Sequence, residues 1–143
     1  HVLFYCEDIP AVCSEIQRVL TPGGKLICST YGKKHMKEVS ELAKGFDNRI
    51  VLSADNLYEK FGKENGKEIL KPYFHEISWQ EYKDKLEIQD AEPLIAYILS
   101  CHGNQNEYLY PRQREFKEFL EKKIQKHGGI EITKEAGVFI CRK

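Results

Sequence analysis

A helix that stops at Pro22, Gly23 and Gly24 and is followed at once by a strand constrains the fold more than any other feature. Asp8 can cap this helix, because a carboxylate there accepts the unsatisfied N–H groups of the first turn. Proline cannot continue the helical ladder, and glycine accepts the left-handed conformation at a helix end. The apolar residues between these signals recur at helical spacing: Ile9, Val12, Cys13, Ile16, Val19 and Leu20.

The segment after the turn reads as a strand and then a second helix. Leu26 to Thr30 form a β-prone run without strict alternation, which is typical of a strand covered on both faces, as in parallel sheets. Gly32 ends this strand. A helix is predicted from His35 to Lys44, ending at Gly45, with an inner side formed by Met36, Val39 and Ala43. Helix, strand and helix in succession predict an α/β fold.

The middle of the chain predicts a short helix and a strand. Ser53 can cap a short helix that carries Leu57 and Phe61. A strand is predicted from Tyr73 to Glu81, since the residues on one face are Tyr73, His75, Ile77 and Trp79. Leu86 to Ile88 are expected to pair nearby.

The last part of the chain predicts two helices and a hairpin. Asp90 caps a helix with Leu94, Ile95, Ile98 and Leu99, and Gly103 to Tyr110 read as a polar loop. Pro111 opens a long helix that ends at Gly128 and carries the stripe Phe116, Phe119, Leu120 and Ile124. Ile130 to Thr133 and Gly137 to Arg142 are expected to form a terminal antiparallel hairpin.

Composition excludes several classes of protein. Lys plus Arg and Asp plus Glu both number 22, so no nucleic-acid partner is expected. No apolar run reaches the roughly 20 residues of a membrane helix, which predicts a soluble, cytoplasmic protein. The length suits one domain over residues 1–143. The chain does not begin with Met, and its first residues, His1 to Cys6, are an apolar run. We therefore expect further sequence upstream.

The number and spacing of the cysteines favour buried, reduced thiols. The five cysteines are odd in number and include no C-x-x-C pair. A reactive Cys101 beside His102 is the alternative, although adjacent side chains rarely face each other.

The segment from Leu20 to Leu26 resembles the turn before the fifth sheet strand of class I S-adenosylmethionine-dependent methyltransferases. Asp8, Glu15 and Arg18 stand upstream at that family's spacing. His1 to Asp8 resemble the segment that leaves the fourth strand, and Gly137 to Cys141 resemble the last, antiparallel strand. The resemblance implies the C-terminal part of a Rossmann-like sheet, with the cofactor lying across the carboxyl ends of its strands.

The resemblance also implies a function. The complete protein would transfer a methyl group from S-adenosylmethionine to a small-molecule acceptor, and this chain would be its acceptor-side half. The glycine-rich cofactor turn of that family has no counterpart here, since no G-x-G occurs in the sequence. A non-catalytic association module derived from a methyltransferase is the alternative. An RNA-modifying domain is disfavoured by the neutral charge.

Five residues are the candidate site. The resemblance implies that His1 and Phe4 contact the cofactor, and that Tyr5, Tyr31 and His35 face the acceptor, where His35 could accept a proton. Simple packing of these rings, and a helix-capping His35, are the alternatives. Displacement at an activated sulfonium carbon needs mainly positioning, so no dedicated catalytic residue is assigned.

Two other groups of residues have both a functional and a structural interpretation. His35 and Glu38 could form a metal pair, but without further ligands a solvated helix face is favoured and no metal is predicted. Trp79 and Tyr82 could line an aromatic acceptor pocket, but aromatic residues on a strand more often belong to the core, which is the favoured interpretation of both.

The predicted first strand also suggests a homodimer. Without a neighbouring strand, its backbone and the side chains of Leu26 and Ile27 would be exposed. We therefore expect this strand, or the segment from His1 to Cys6, to pair with a second copy.

Overall fold

The computed structural model describes all residues from 1 to 143 and confirms an α/β fold. The helices are α1 Ile9–Val19, α2 Lys37–Phe46, α3 Leu57–Lys60, α4 Gly66–Leu70, α5 Ala91–Leu99, α6 Gln105–Leu109 and α7 Gln113–His127. The strands are β1 Lys25–Tyr31, β2 His75–Ile88 and β3 Ile130–Arg142, and two 3-10 turns lie at Leu3–Tyr5 and Tyr110–Arg112. None of these helices combines the length and the apolar character that crossing a membrane requires.

The strands form one sheet in the order β1-β3-β2. β1 and β3 are antiparallel, with Lys25 opposite Arg142 and Tyr31 opposite Ala136. The predicted terminal hairpin is wrong, because β3 is one continuous strand of 13 residues. The intervening residues 134–136 contain no glycine, proline or asparagine that would favour a tight turn.

The prediction that β1 is covered on both faces is also wrong. β1 is one of the two edge strands of the sheet, and Ile27 on it is 63% exposed. Antiparallel edge strands can leave one face in solvent, whereas the strands of a parallel sheet cannot.

The chain comprises two compact units. Unit 1 consists of His1–His35, Asn56–Lys83 and Glu135–Lys143. Unit 2 consists of Met36–Asp55 and Asp84–Lys134.

The core of unit 1 forms around α1 and the segments that pack on it. Asp8 caps α1 as predicted, and its Oδ1 accepts the N–H of Ala11 at 2.9 Å. Val19 is an exception to the predicted stripe, since it is 61% exposed. The buried apolar side chains are Leu3, Phe4, Ile9, Cys13, Phe61, Leu70, Phe74, Phe139 and Cys141.

The core of unit 2 is built mainly by helices. Asp90 caps α5, and α7 ends at Gly128 in the left-handed conformation, with φ at 73°, as predicted. The apolar side chains packed here include Val39, Ala43, Leu94, Ile98, Phe116, Leu120 and Ile132.

The polar loop predicted from Gly103 to Tyr110 is wrong, because α6 occupies Gln105–Leu109 and both of these end residues are fully buried. Asn104 anchors the segment, since its Oδ1 accepts the N–H of Val51 at 2.7 Å. Asn104 and Val51 are 53 residues apart in sequence, so the local composition around Gly103 to Tyr110 could not predict this hydrogen bond.

Several predicted boundaries differ from the structure. α2 begins after Met36, whose φ is 54°, and it continues through Gly45 to Phe46. Ser53 does not cap α3, because its hydroxyl donates to the carbonyl of Asp55 at 2.9 Å and Asn56 precedes the helix. The strand predicted from Tyr73 begins at His75 and continues through the separately predicted residues 86–88.

Candidate functional site

The candidate residues form one aromatic cluster in unit 1, at the carboxyl end of β1. Tyr31 is the last residue of β1, and three of the other rings surround it. Its ring centroid lies 5.2 Å from that of His35, 5.5 Å from that of Phe4 and 6.0 Å from that of His1. The ring of Tyr5 joins through Phe4, at 4.7 Å.

These rings differ in exposure. Phe4 is only 2% exposed and belongs to the core of unit 1. Tyr5 is 68% exposed, and Tyr31 and His35 are partly buried. The cluster therefore has a packed inner side and an open outer side.

A polar contact holds His1 beside β1. Its Nδ1 is 2.7 Å from the hydroxyl oxygen of Ser29, which lies on β1. The 3-10 turn that follows is closed by the N–H of Tyr5, which donates to the carbonyl of Val2 at 2.9 Å. These bonds hold the rings of His1 and Phe4 next to the end of β1.

The turn after β1, which we call the β1 turn and define as Gly32 to His35, is held by two carboxylates. Glu64 accepts the N–H of Lys33 at 3.0 Å, and Glu135 accepts the N–H of Lys34 at 2.8 Å. Successive backbone N–H groups of this kind form a concave anion-binding arrangement. In this protein the carboxylates of Glu64 and Glu135 occupy the position that an anion would take.

The ring of His35 has a defined orientation. Its Nδ1 accepts the backbone N–H of Glu135 at 3.0 Å. A neutral imidazole that accepts at Nδ1 carries its proton on Nε2. Uptake of a proton at Nδ1 would break the bond to Glu135, so that nitrogen is not arranged to act as a base.

An ion-pair network supports the carboxylate of Glu135. The Nζ of Lys63 lies 3.0 Å from Glu135 and 3.1 Å from Glu81. Burial raises the pKa of Glu135, but the bonds from Lys63 and from the N–H of Lys34 outweigh burial, and the pKa is lowered overall. Hydrogen bonds to Glu135 and Glu81 raise the pKa of Lys63, so both groups stay charged at neutral pH.

An open cavity of about 460 Å³ belongs to unit 2 and a smaller one of about 310 Å³ to unit 1. The smaller cavity is lined by Lys33, Tyr58, Glu59, Glu64 and Asn65. It adjoins the aromatic cluster, because the rings of Tyr58 and Tyr31 are 6.5 Å apart. A small molecule in this cavity would contact an aromatic ring, one ammonium group and carboxylates.

Sequence reasoning missed Glu135, Lys63, Glu64 and Tyr58. His35 and Glu135 are 100 residues apart, and Lys63 and Glu135 are 72 apart. None of these residues belongs to a recognisable local motif. Only the pairing of β1 with β3 brings Glu135 to the β1 turn.

The other groupings have structural explanations. The ring of Trp79 packs against Phe139 at 4.8 Å, which supports the core alternative, whereas Tyr82 is 71% exposed. Glu38 accepts the N–H of Thr133 at 2.9 Å. No group of three or more His, Cys, Asp or Glu side chains is placed to hold a metal ion.

The five cysteines are free thiols, as predicted, but only Cys13 and Cys141 are fully buried. The Sγ of Cys101 donates to the carbonyl of Tyr97 at 3.6 Å. Burial raises the pKa of Cys101, which disfavours the nucleophilic thiolate.

Comparison with known proteins gives a partial match. No family model matches the sequence. A stretch of 37 residues is 51% identical to the Biotin biosynthesis bifunctional protein BioHC of Saccharophagus degradans. The matched stretch covers 26% of this chain and 7% of that protein.

Proposed function

We propose that this chain is the acceptor-side part of a class I S-adenosylmethionine-dependent methyltransferase that acts on a small molecule. The observation that carries the proposal is the aromatic cluster. Residues 1, 4, 5, 31 and 35 were selected from a resemblance, and they converge at the carboxyl end of β1. In the doubly wound sheet that the resemblance implies for the complete protein, ligands bind outside the carboxyl ends of the parallel strands.

Two further observations support the proposal. The C-terminal strand β3 is antiparallel to β1, as the resemblance implied for the last strand. The 37-residue match to a protein of biotin biosynthesis is compatible with a methyltransferase parent.

The residues present fit only part of the cofactor. His1 is exposed and could contact S-adenosylmethionine, whereas Phe4, at 2% exposure, offers little more than a ring edge. No glycine-rich turn is present to bring backbone N–H groups close to the cofactor. We therefore expect cofactor binding to need the complete protein.

In methyl transfer, the main role of the residues in the aromatic cluster is to position the acceptor. S-adenosylmethionine, when bound, supplies a methyl group on a positively charged sulfur. The rings of Tyr31 and His35 would hold the acceptor in line with that group and limit access of water. The neighbouring cavity, with Tyr58 and Lys33, is wide enough for a small acceptor.

Calorimetric titration of S-adenosylmethionine tests the proposal. We expect binding to the complete protein and no measurable binding to residues 1–143 alone. In the complete protein, His1→Ala should weaken binding, whereas the control His75→Ala, which changes an exposed histidine outside the cluster, should not. Absence of binding to the complete protein would contradict the proposal.

A non-catalytic association module is the second candidate, and the exposed edge of the sheet favours it. β1 has a neighbour on one side only, and Ile27 is 63% exposed on it. Val2 and Tyr5 of the N-terminal segment are 69% and 68% exposed. An apolar edge strand of this kind is a template for pairing with a second copy.

Sedimentation analysis separates this candidate from the first. A homodimer that persists in the complete protein, together with no S-adenosylmethionine binding, would favour the association module. Ile27→Lys should then give monomers, because a charged edge residue opposes strand pairing. Val51→Lys, at a side chain 42% exposed in unit 2, is the matched control.

A further inference from the structure

Glu135 contacts the β1 turn through its backbone and its side chain together. Its carbonyl oxygen accepts the N–H of Gly32 at 2.9 Å, and its Oε2 accepts the N–H of Lys34 at 2.8 Å. Its own N–H donates to the Nδ1 of His35 at 3.0 Å. One residue of β3 therefore binds three of the four residues of the turn.

The carboxylate of Glu135 is held in place from its other side. Its side chain is only 13% exposed, and its Oε1 binds the ammonium group of Lys63 at 3.0 Å. The backbone N–H of Lys63 donates to the carbonyl of Tyr31 at 3.2 Å, which ties the same network to the end of β1. A part-buried carboxylate with a full set of partners has little freedom to move.

Gly32 shows how close the approach is. A Cβ atom at this position would collide with the carboxylate of Glu135 and would lie 3.0 Å from the Oε1 of Glu64. The contact of Glu135 with the turn therefore requires a residue without a side chain at position 32.

We infer that Glu135 is a positioning residue that holds the rings of Tyr31 and His35 side by side and keeps the neutral His35 ring protonated on Nε2. That these rings face a methyl acceptor rests on the proposed function. The placement of the rings and the tautomer follow from the contacts of Glu135 and hold whether or not the rings face a methyl acceptor. His35 then does not take the proton of an acceptor at Nδ1, and it acts as an oriented ring.

Nuclear magnetic resonance of the ¹⁵N-labelled full chain tests the inference. The side-chain nitrogens of His35 should show a single tautomer, protonated on Nε2, at a pH where the ring is neutral. Glu135→Ala keeps the backbone N–H of residue 135 but removes the side-chain bonds to Lys34 and Lys63. The β1 turn is then no longer held beside β3, so His35 should leave that N–H for part of the time and show a mixture of both tautomers. Glu135→Gln should restore the single tautomer, because its amide oxygen can still accept the N–H of Lys34.

Glu131→Ala is the matched control. Glu131 lies on the same strand but its side chain is 65% exposed and it binds only Lys85, so the tautomer of His35 should not change. An unchanged His35 tautomer in Glu135→Ala, or failure of Glu135→Gln to restore it, would overturn the inference.

A second variant covers the case in which Glu135→Ala does not fold. Gly32→Ala displaces the carboxylate without deleting it, and it should give the same mixture of tautomers. A single Nε2-protonated tautomer in that variant would overturn the inference.

Kinetics of the complete protein separate this inference from the proposed function. Glu135→Ala should lower kcat by on the order of 100-fold, the cost of a misplaced acceptor, without changing the affinity for S-adenosylmethionine. If the complete protein does not bind S-adenosylmethionine, the proposed function fails, whereas the tautomer result can still hold. If binding and activity are present but the tautomer is insensitive to residue 135, only the inference fails.

Discussion

Unit 1 and unit 2 differ in what their buried side chains contact. The core of unit 2 is formed by apolar side chains such as Phe116, and the ion pairs of Asp47 lie at its helix ends. Each unit also holds a largely buried carboxylate. Asp47 of unit 2 is 8% exposed and pairs with Arg49 and Arg112, whereas Glu135 of unit 1 is 13% exposed and binds the β1 turn beside the ring of His35. Burying a charge costs free energy unless it is well bonded. Both carboxylates are well bonded, but only the bonds of Glu135 reach the turn that carries His35, so Glu135 positions a ring of the candidate site as well as stabilising the fold.

The largest effects should come from two of the buried phenylalanines, Phe4 in unit 1 and Phe116 in unit 2. Phe116 is fully buried and Phe4 is 2% exposed. The variants Phe116→Ala and Phe4→Ala should each lower the free energy of unfolding by about 3–5 kcal/mol. Only Phe4→Ala should also move the resonances of Tyr31 and His35, because its ring lies 5.5 Å from Tyr31. Urea unfolding and nuclear magnetic resonance measure the two effects. If Phe116→Ala disturbed those resonances equally, the contrast between the units would disappear.

A smaller effect should appear at acid pH in unit 2. Hydrogen bonds from Arg49 hold the pKa of Asp47 well below its ordinary value of 3.8, and Arg112 adds a bond at 3.1 Å. Because the pKa is lowered in the folded state, the stabilisation is complete above pH 3.8 and is lost as the pH falls below it. Asp47→Asn should therefore be less stable than the wild type at neutral pH. The difference should shrink as urea midpoints are measured at progressively lower pH, and a difference that grew instead would show the sign to be wrong.

The cap of α1 should contribute about 1 kcal/mol, since the Oδ1 of Asp8 accepts the N–H of Ala11. Asp8→Ala should lower the free energy of unfolding by that amount, and Asp8→Asn should retain most of it. Glu7→Ala, at the exposed neighbouring position, is the control. Equal losses for Asp8→Ala and Glu7→Ala in urea unfolding would show that the cap does not stabilise α1.

The smallest effect should come from an exposed ion pair of unit 2. Lys85 and Glu131 are 3.0 Å apart, but their side chains are 64% and 65% exposed, so solvent screens the attraction. Lys85→Ala should leave the melting temperature unchanged. Lys63→Ala should lower it, because Lys63 is 29% exposed and binds two carboxylates. Similar results for the two variants would remove the distinction between the networks.

Much of the helical structure could be predicted from the sequence. Asp8 and the Pro22-Gly23-Gly24 turn bound α1, and Gly128 ends α7 in the left-handed conformation. Of the candidate site, the five rings could be selected, but only through the resemblance. Glu135 could not, because no feature within its own segment distinguishes it from other glutamates.

The sequence by itself determined the elements that depend on neighbours a few residues away: helix caps, glycine stops and apolar stripes. Only the tertiary structure decided that residues 130–142 form one strand beside β1, and that residues 105–109 form a helix anchored by Asn104. The physical reason is the range of the interactions. A cap is satisfied within one turn of helix, whereas strand pairing and the bonds of Glu135 join segments about 100 residues apart.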